Sequence, residues 1–169
     1  MSGAEAPELH LLEAGHAPGV LAFELANRAW FAASVPDRGD DYFTHFAQRH
    51  HALLAEQESS RCAFYVLVAD GAVLGRFNLV DMDEGVATLG YRVAEQVAGR
   101  GVATATVRRV CRQAGTRHKL HTINASVTRD NTASRRVLVK AGFVPVGPAD
   151  PADLDGEPGL RYQWRDLRD

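Results

Sequence analysis

Gln96-Val97-Ala98-Gly99-Arg100-Gly101-Val102-Ala103 is the stretch of this chain that says most about its fold. It follows an apolar, strand-like segment at 86–93 and opens a segment with helical periodicity at 102–114. Two glycines one residue apart allow a tight turn that leaves backbone N–H groups uncovered. The N-terminus of the following helix adds unpaired donors and partial positive charge. The pattern therefore predicts a loop that holds a phosphate or pyrophosphate with backbone groups.

Other phosphate-binding loops fit these residues less well. A P-loop ends in Gly-Lys followed by Ser or Thr, whereas Gly101 is followed by Val102. A dinucleotide-binding loop has a third glycine where this chain has Thr104, and an acidic residue near the position of His121. An ordinary Gly-rich turn stays open as a third interpretation, because a lone Gly-x-Gly is a weak signal.

Working outward from the loop, the hydrophobic pattern predicts an α+β domain in which antiparallel strands lead and a β-α-β-α unit closes. Asp70-Gly71 is typical of a two-residue β-hairpin turn. The predicted strands lie at 9–12, 62–69, 73–80, 86–93, 120–127, 143–146 and 160–166. The predicted helices lie at 17–27, 41–57, 102–114 and 132–141.

Two details of this prediction bear on the site. The helix at 41–57 is expected to bury Phe43, Phe46, Leu53 and Leu54 and to turn His50 towards water. The acidic segment 81–85 is expected to be a turn between two strands.

Composition places the chain among ordinary globular proteins. It has 169 residues, of which 46% are hydrophobic and 24% charged, with a formal net charge of −2. We expect one domain over residues 1–169, with a flexible leader at 1–8. The charge balance argues against a broad nucleic-acid footprint, and no apolar run is long enough for a membrane span. The polar N-terminus has no signal-peptide core, so a cytoplasmic location is expected.

Cysteine and histidine spacing predicts no metal site. Cys62 and Cys111 are far apart in sequence and form no Cys-x-x-Cys pair. Only His118 and His121 have ligand-like spacing, and at the start of a strand their side chains would point to opposite faces.

With these elements in place, the chain resembles the GNAT superfamily of N-acetyltransferases. Gln96, Gly99 and Gly101 match, in order, the family signature Arg/Gln-x-x-Gly-x-Gly/Ala. Residues 131–143 resemble the family's Asn-containing helix that ends in Ala-Gly-Phe, and Leu89-Gly90-Tyr91-Arg92-Val93 resembles the preceding strand. The Asn-x-Ala-Ser and Leu-Gly-Tyr forms are similar to the RimJ/RimL-like branch, named for ribosomal-protein-alanine acetyltransferases. The resemblance covers roughly residues 9–166.

The resemblance implies the GNAT fold, a mixed, mostly antiparallel sheet of about six to seven strands flanked by about four helices. The sheet would splay between strands 4 and 5, and acetyl-CoA would lie in that cleft. Family members often form dimers, so a homodimer is a further expectation.

The resemblance also implies which residues contact acetyl-CoA. Backbone groups of the fourth strand would pair with the pantetheine arm, and amides of the Gly-rich loop would hold the pyrophosphate. Asn131 would bond the pantetheine or orient the loop, unless it only caps its helix. Arg100, Arg135 and Arg136 would be available for the 3′-phosphate, unless each is a solvated surface charge. The whole set is Tyr91, Arg92, Val93, Gln96, Val97, Ala98, Gly99, Arg100, Gly101, Val102, Ala103, Asn131, Ser134 and Arg135.

The implied reaction is direct attack of a primary amine on the acetyl thioester. Many family members place a tyrosine acid in the Asn-containing helix, where this chain has Leu138. Ser134, one turn earlier, is the nearest hydroxyl and a candidate donor to the sulfur, unless it bonds within its own helix. Asp81 and Glu84 are candidate bases acting through water, although both also suit a solvated turn.

The acceptor is expected beside the first two helices and the neighbouring strands. It would be a small-molecule amine or a protein N-terminus. Two other functions stay open: a non-catalytic acyl-CoA-binding module on the same scaffold, and a nucleotide-binding protein unrelated to CoA. The candidate acceptor-binding residues, each of which also suits ordinary core packing, are Trp30, Phe31, Phe43, Arg76 and Tyr91.

Overall fold

A computed structural model describes residues 6–167 of the chain. The predicted leader at 1–8 lies mainly outside the described residues, and the first strand already begins at Glu8. The strands in the described part are β1 Glu8–Leu11, β2 Ala63–Ala69, β3 Ala72–Asp83, β4 Val86–Val93, β5 Thr122–Thr128, β6 Val144–Pro148 and β7 Gly159–Arg165. The α-helices there are α1 Ala17–Ala26, α2 Arg28–Ala32, α3 Asp40–Thr44, α4 Phe46–Glu58, α5 Val102–Arg117 and α6 Thr132–Lys140.

The strands form one mixed sheet in the order β1-β2-β3-β4-β5-β7-β6. The pairs β1–β2, β5–β7 and β6–β7 are antiparallel, whereas β4 and β5 are parallel. The parallel register joins the three residues Val86–Thr88 to Thr122–Asn124. The predicted fold class is confirmed, with more helices than the four that the pattern indicated.

The two additional helices have different origins: α2 follows the predicted helix at 17–27 after a break, whereas the predicted helix at 41–57 is interrupted. Asn27 separates α1 from α2. Its side-chain amide donates to the Phe23 carbonyl at 2.9 Å and so competes with the backbone hydrogen bonds of the helix. His45, with φ −108° and ψ 26°, separates α3 from α4. Among residues 6–167, none of the helices combines the length and apolarity needed to cross a lipid bilayer.

The expectation that His50 faces water is wrong. His50 is buried, and its Nε2 lies 3.0 Å from the Glu13 carbonyl oxygen. Its ring packs near Phe46, one helical turn earlier. Phe46 is buried as predicted, whereas Phe43, Leu53 and Leu54 are only half-buried. The distant carbonyl gives one ring nitrogen of this polar residue a partner on the inner face, whereas Nδ1 is buried without a partner among the described residues.

The chain divides into two compact units. The first contains the residues up to Asn78 together with Tyr91–Ala98 and therefore holds β1, β2, α1–α4, the start of β3 and the end of β4. Its apolar core is built from both sides of β2 and the inner faces of the helices. Members of that core include Leu12, Val20, Phe23, Phe31, Tyr42, Phe46, Phe64, Tyr65, Val66, Leu67, Leu74 and Phe77.

The second unit contains Leu79–Gly90 and the chain from Gly99 onward. The helix α5 buries residues spaced three or four apart, which is the pattern of one amphipathic face. The core of this unit includes Leu79, Leu89, Val107, Val110, Cys111, Ala114, Leu120, Ile123, Val127, Leu138, Phe143 and Tyr162. Burial raises the pKa of the Cys111 thiol to about 12, so Cys111 is a protonated core residue.

Candidate active site

The Gly-rich loop requires glycine for its backbone conformation. Gly99 and Gly101 have φ of +74° and +78°, in the left-handed region that residues with a Cβ seldom adopt. A Cβ built on either residue would meet nothing within 4 Å, so conformation rather than crowding requires glycine. The same observation shows that the space over both glycines is open. Backbone groups of this loop are therefore accessible to a ligand.

The loop leads directly into the N-terminus of α5. Gly101 is the N-cap residue and supplies no side-chain hydrogen bond, while its carbonyl accepts from the Ala105 amide at 3.0 Å. The first amides of an α-helix have no partner within the helix. Those of α5 also lack a side-chain cap, and the helix adds partial positive charge at this end. This arrangement suits an anionic ligand such as a pyrophosphate.

The end of the strand before the loop, from Tyr91 onward, is held within the first unit. Tyr91 stacks on Phe77 with ring centroids 5.6 Å apart and an interplanar angle of 8°. The Ala94 amide donates to the Leu74 carbonyl at 2.8 Å. The Glu95 amide donates to the Asn27 side chain at 3.0 Å, which ties the turn Glu95–Val97 to the end of α1. The interruption between α1 and α2 thus places a side chain that anchors the loop segment.

Helix α6 carries the second group of predicted residues. Asn131 is the N-cap residue, and its side-chain oxygen accepts from the Ser134 amide at 3.1 Å. Ser134 is half-buried in the first turn, and Leu138 is fully buried. Arg135 donates to the Tyr162 hydroxyl and to the Arg129 carbonyl, both at 3.2 Å. Asn131 and Arg135 therefore have structural partners in addition to any ligand that they bind.

The acidic segment after β3 differs from the prediction. Strand β3 continues to Asp83, so the turn is confined to Glu84 and Gly85. Asp81 lies within the strand with φ of +52°, and Glu84 has φ of +48°; both residues are exposed. Backbone amides of His121 and Thr122 donate to the Gly85 carbonyl and fix this turn. Positive φ at two non-glycine residues indicates local backbone strain.

A buried ionic cluster that the sequence analysis did not predict surrounds Glu24, a residue of α1. Glu24 is only 1% exposed, and three arginines donate to its carboxylate. Arg38 Nε and Arg92 Nη1 bond Oε1 at 2.8 and 3.0 Å, while Arg76 Nη1 bonds Oε2 at 3.0 Å and the Tyr42 hydroxyl at 3.2 Å. Burial raises the Glu24 pKa, but the hydrogen bond from Arg38 and the charges of the three arginines outweigh it, leaving the pKa below its ordinary value.

A shallow cleft opens to solvent beside this cluster, with an enclosed volume of about 10 Å³, close to that of one water molecule. Two of the predicted acceptor residues line it, Phe31 and Phe43. An arginine stacks on each of these rings, Arg92 at 4.6 Å from the Phe31 centroid and Arg28 at 4.5 Å from the Phe43 centroid. The complete lining is Glu24, Arg28, Phe31, Pro36, Asp37, Arg38, Phe43 and Arg92.

The other predicted acceptor residues have different surroundings. Arg76 is buried beneath the cleft and holds Glu24, whereas Tyr91 stacks on Phe77. Trp30 is 42% exposed.

Asn78 was not among the predicted residues. It lies two residues after Arg76 on β3 and so on the same face of that strand, and its buried Oδ1 has no hydrogen-bond partner among the described residues. An unpaired buried acceptor suits an N–H donor from a ligand.

One signal in the sequence points to Glu24. Val20, Phe23 and Glu24 recur at the spacing of the inward face of α1, so an acid interrupts an apolar stripe. A buried acid needs cationic partners. The sequence offers no rule for choosing Arg38, Arg76 and Arg92 among its arginines. Among residues 6–167, no group of three or more His, Cys, Asp or Glu side chains is arranged to hold a metal ion.

We expect the contribution of Glu24 to stability to disappear in acid. Its folded-state pKa lies below the ordinary value of 4.5, so the unfolded chain binds the proton more strongly. The contribution is therefore complete above about pH 4.5 and decreases as the pH falls towards the folded-state pKa. A carboxyl ¹³C NMR titration gives the Glu24 pKa, and urea unfolding from pH 7 to 3 gives the stability. A Glu24 titration midpoint at or above 4.5 would contradict this expectation.

Comparison with known proteins gives a consistent result. The family described as "Acetyltransferase (GNAT) domain" matches residues 8–144. The chain is 32% identical over 146 residues to the probable N-acetyltransferase YjcK of Bacillus subtilis (strain 168). That match covers 82% of this chain and 80% of YjcK.

Solved structures share the whole fold. The ribosomal-protein-S5-alanine acetyltransferase of Vibrio fischeri superposes with a TM-score of 0.87 over 98% of both chains, at 20% identity. RimJ of Mycobacterium smegmatis, solved with CoA-disulfide, superposes with a TM-score of 0.83 at 26% identity. That match covers 96% of this chain and 86% of RimJ. The first likeness, at 20% identity, supports the fold alone.

Proposed function

This chain belongs to the GNAT acetyltransferase family, and from that membership we propose that it transfers an acetyl group from acetyl-CoA to a primary amine. The observation that carries the proposal is the loop 96–103, where two left-handed glycines precede the uncapped N-terminus of α5. An accessible backbone surface with partial positive charge is what a pyrophosphate needs. The similar RimJ of M. smegmatis was solved with CoA-disulfide, which supports CoA as the carrier.

In this proposal, backbone groups of Tyr91, Arg92 and Val93 pair with the pantetheine arm, and amides from Val97 to Ala103 hold the pyrophosphate. Asn131 has an amide N–H₂ group in addition to the oxygen that caps α6, and this group is the proposed donor to the ligand. Arg100 is an exposed residue of the loop itself and, with Arg135, is the proposed contact to the 3′-phosphate.

The bound thioester supplies an activated acetyl carbonyl. The amine nitrogen forms a bond to that carbon, the carbon–sulfur bond breaks, and CoA leaves as the thiolate. The amine has to lose its proton, for which Asp81 and Glu84 are the proposed acceptors acting through water. Ser134 is the proposed proton donor to the sulfur. That requirement is modest, because a thiol with a pKa of about 8.5 already leaves readily.

The acceptor is proposed to be a small-molecule amine or a protein N-terminus that enters the cleft lined by Phe31 and Phe43. Asn78 does not line this cleft, but its Oδ1, which has no partner among the described residues, is a proposed acceptor for an N–H group of a ligand on the same face of β3 as Arg76. We further propose that residues 1–169 form a single acetyltransferase domain that pairs as a homodimer.

Calorimetric titration with acetyl-CoA, using ATP and NAD as controls, tests the first part of the proposal. We expect selective binding of acetyl-CoA. Absence of binding by a folded sample would refute the assignment of the loop.

Release of free CoA thiol in the presence of an amine panel tests the second part. We expect release that depends on the amine and is matched by formation of the N-acetylated product. Tight acetyl-CoA binding without transfer to any amine would favour the non-catalytic acyl-CoA-binding module, for which the buried Leu138 at the position of the family's tyrosine acid is the supporting observation.

A further inference from the structure

The cluster around Glu24 carries more positive than negative charge. Arg38, Arg76 and Arg92 all bond the same carboxylate, so one acid opposes three permanent cations. A carboxylate has about four acceptor positions, and Glu24 already accepts from Arg38 Nε and Nη2, Arg76 Nη1 and Arg92 Nη1. Glu24 therefore has no capacity for further donors, and two unit charges remain without a balancing acid within the cluster.

The other acids beside the cleft are paired with a different arginine. Arg28 donates to Asp37 from Nε at 3.0 Å and from Nη2 at 2.8 Å, and its Nη2 also donates to Asp40 at 2.8 Å. The hydrogen bond from Arg28 lowers the pKa of Asp37 to about 2, so that carboxylate is charged and committed to Arg28. Arg28 with Asp37 and Asp40 has one surplus negative charge, so these acids offset part of the excess, and about one net positive charge remains among the groups around the cleft.

Part of this excess charge faces the cleft. The side chains of Arg38 and Arg92 are 30% and 22% exposed and line the opening, whereas Arg76 is 6% exposed beneath them. Desolvation and the charge of Arg38 lower the pKa of Arg92, which reflects the crowding of cations. Each guanidinium has five N–H donors in a planar fork that matches the oxygens of a carboxylate or phosphate. An anionic group in the cleft would meet donors from both arginines.

The size of the cleft limits what it can hold. Its enclosed volume is about 10 Å³, room for about one water molecule and far below the roughly 300–1,000 Å³ of a pocket that encloses a whole small ligand. An anionic group would therefore contact the exposed parts of Arg38 and Arg92 at the mouth of the cleft, with the remainder of the ligand outside. The backbone of Arg92 belongs to the β4 segment that the proposed function pairs with the pantetheine arm, while its side chain points into the cluster. The cleft thus adjoins the strand segment that the proposed function assigns to the pantetheine arm.

We propose that this cleft selects acceptor amines that carry an anionic group, a carboxylate or a phosphate, which Arg38 and Arg92 bind at the mouth of the cleft. The inference rests on the proposed acetyl transfer and specifies its acceptor class. Phe31 and Phe43 form the apolar walls, and Arg76 holds Glu24 so that the two outer guanidinium groups keep their orientation.

Matched pairs of acceptors test this selectivity. The pairs are a peptide with aspartate or asparagine after its N-terminal residue, and phosphoethanolamine or ethanolamine. We expect the anionic member of at least one pair to have a kcat/KM about tenfold higher or more, because a charge-assisted bidentate contact is lost in its partner. The pair that shows the difference distinguishes a carboxylate from a phosphate.

Variants of Arg38 assign the selectivity to the cleft. Arg38→Gln should reduce the ratio of anionic to neutral kcat/KM to within about twofold, and Arg38→Lys should restore part of it because the charge returns without the fork. Arg49→Gln is the matched control. Both arginines lie over the Tyr42 ring, with Cζ 4.7 Å from the ring centroid for Arg38 and 5.7 Å for Arg49, but Arg49 does not line the cleft. An unchanged ratio in Arg38→Gln, or equal rates for both members of every pair in the native protein, would overturn the inference while leaving acetyl transfer intact.

A binding measurement keeps the test independent of turnover. Side-chain Nε–H NMR resonances of Arg38 and Arg92 should shift when succinate or methyl phosphate replaces chloride at constant ionic strength, while that of Arg49 should not. If no amine is acetylated but these resonances shift, the proposed function fails and the anion site stands. If the resonances of Arg38 and Arg92 do not move, the anion site itself is refuted.

Discussion

Gly101→Asp should weaken acetyl-CoA binding by about 10- to 100-fold, or about 1.4 kcal/mol for each factor of ten. The substitution places a carboxylate at the N-terminus of α5, where the proposal puts the pyrophosphate, so two anions would share one site. The fold should be retained, because aspartate tolerates the left-handed φ of +78° better than other side chains and favours a helix N-terminus electrostatically. Calorimetric titration measures the affinity, and thermal unfolding checks the fold.

Gly101→Asn is the control for this variant. Asparagine has nearly the same shape and also tolerates left-handed φ, but it carries no charge. We expect it to retain most of the affinity, because open space surrounds a Cβ at this position. Equal affinities of the Asp and Asn variants would show that charge at Gly101 does not matter. The pyrophosphate would then have to bind elsewhere.

The loop was predictable because its information is local. Two glycines, an apolar strand before them and an amphipathic helix after them all lie within about thirty consecutive residues. The left-handed φ of Gly99 and Gly101 agrees with the tight turn that the spacing indicated. The hairpin at Asp70-Gly71 is local in the same way, and both residues do have positive φ.

Other features were not predictable because their causes are distant in sequence. The break between α1 and α2 leaves the Asn27 side chain to accept from the Glu95 amide, 68 positions away. Burial of His50 depends on the Glu13 carbonyl, 37 positions away. Helical periodicity alone treats asparagine and histidine as surface residues, because it contains no information about such partners.

The candidate acceptor site also combines residues that local sequence predicted with residues that depend on distant partners. Phe31 and Phe43 were predicted from their place near the first two helices, and both line the cleft. Glu24 was missed, although an acid within an apolar stripe is a readable signal. Its partners were not readable, because they join α1 to Arg38, Arg76 and Arg92 at separations of 14, 52 and 68 residues. Arg76 was selected as an acceptor contact, whereas the structure places it beneath the cleft as a partner of Glu24.

Glu24→Gln should lower the free energy of unfolding at pH 7 by about 3–5 kcal/mol. The amide keeps the size of the side chain but removes the one negative charge that opposes three arginines, of which Arg76 is buried. Uncompensated buried charge is among the few causes of so large an effect from a single substitution. Urea unfolding measures the loss, and Glu58→Gln, an exposed acid on α4, should change the stability by no more than about 0.5 kcal/mol.

A double variant separates the charge from the packing. Glu24→Leu with Arg76→Met removes the carboxylate together with its most buried partner, and Arg38 and Arg92 are exposed enough to turn towards water. We expect it to recover much of the stability lost in Glu24→Gln, because an apolar pair replaces a buried ion pair at little net cost. A loss below about 1 kcal/mol in Glu24→Gln alone would mean that water already screens the three guanidinium groups, as it does for surface ion pairs. The excess charge at the cleft would then be too weak to select an anionic acceptor.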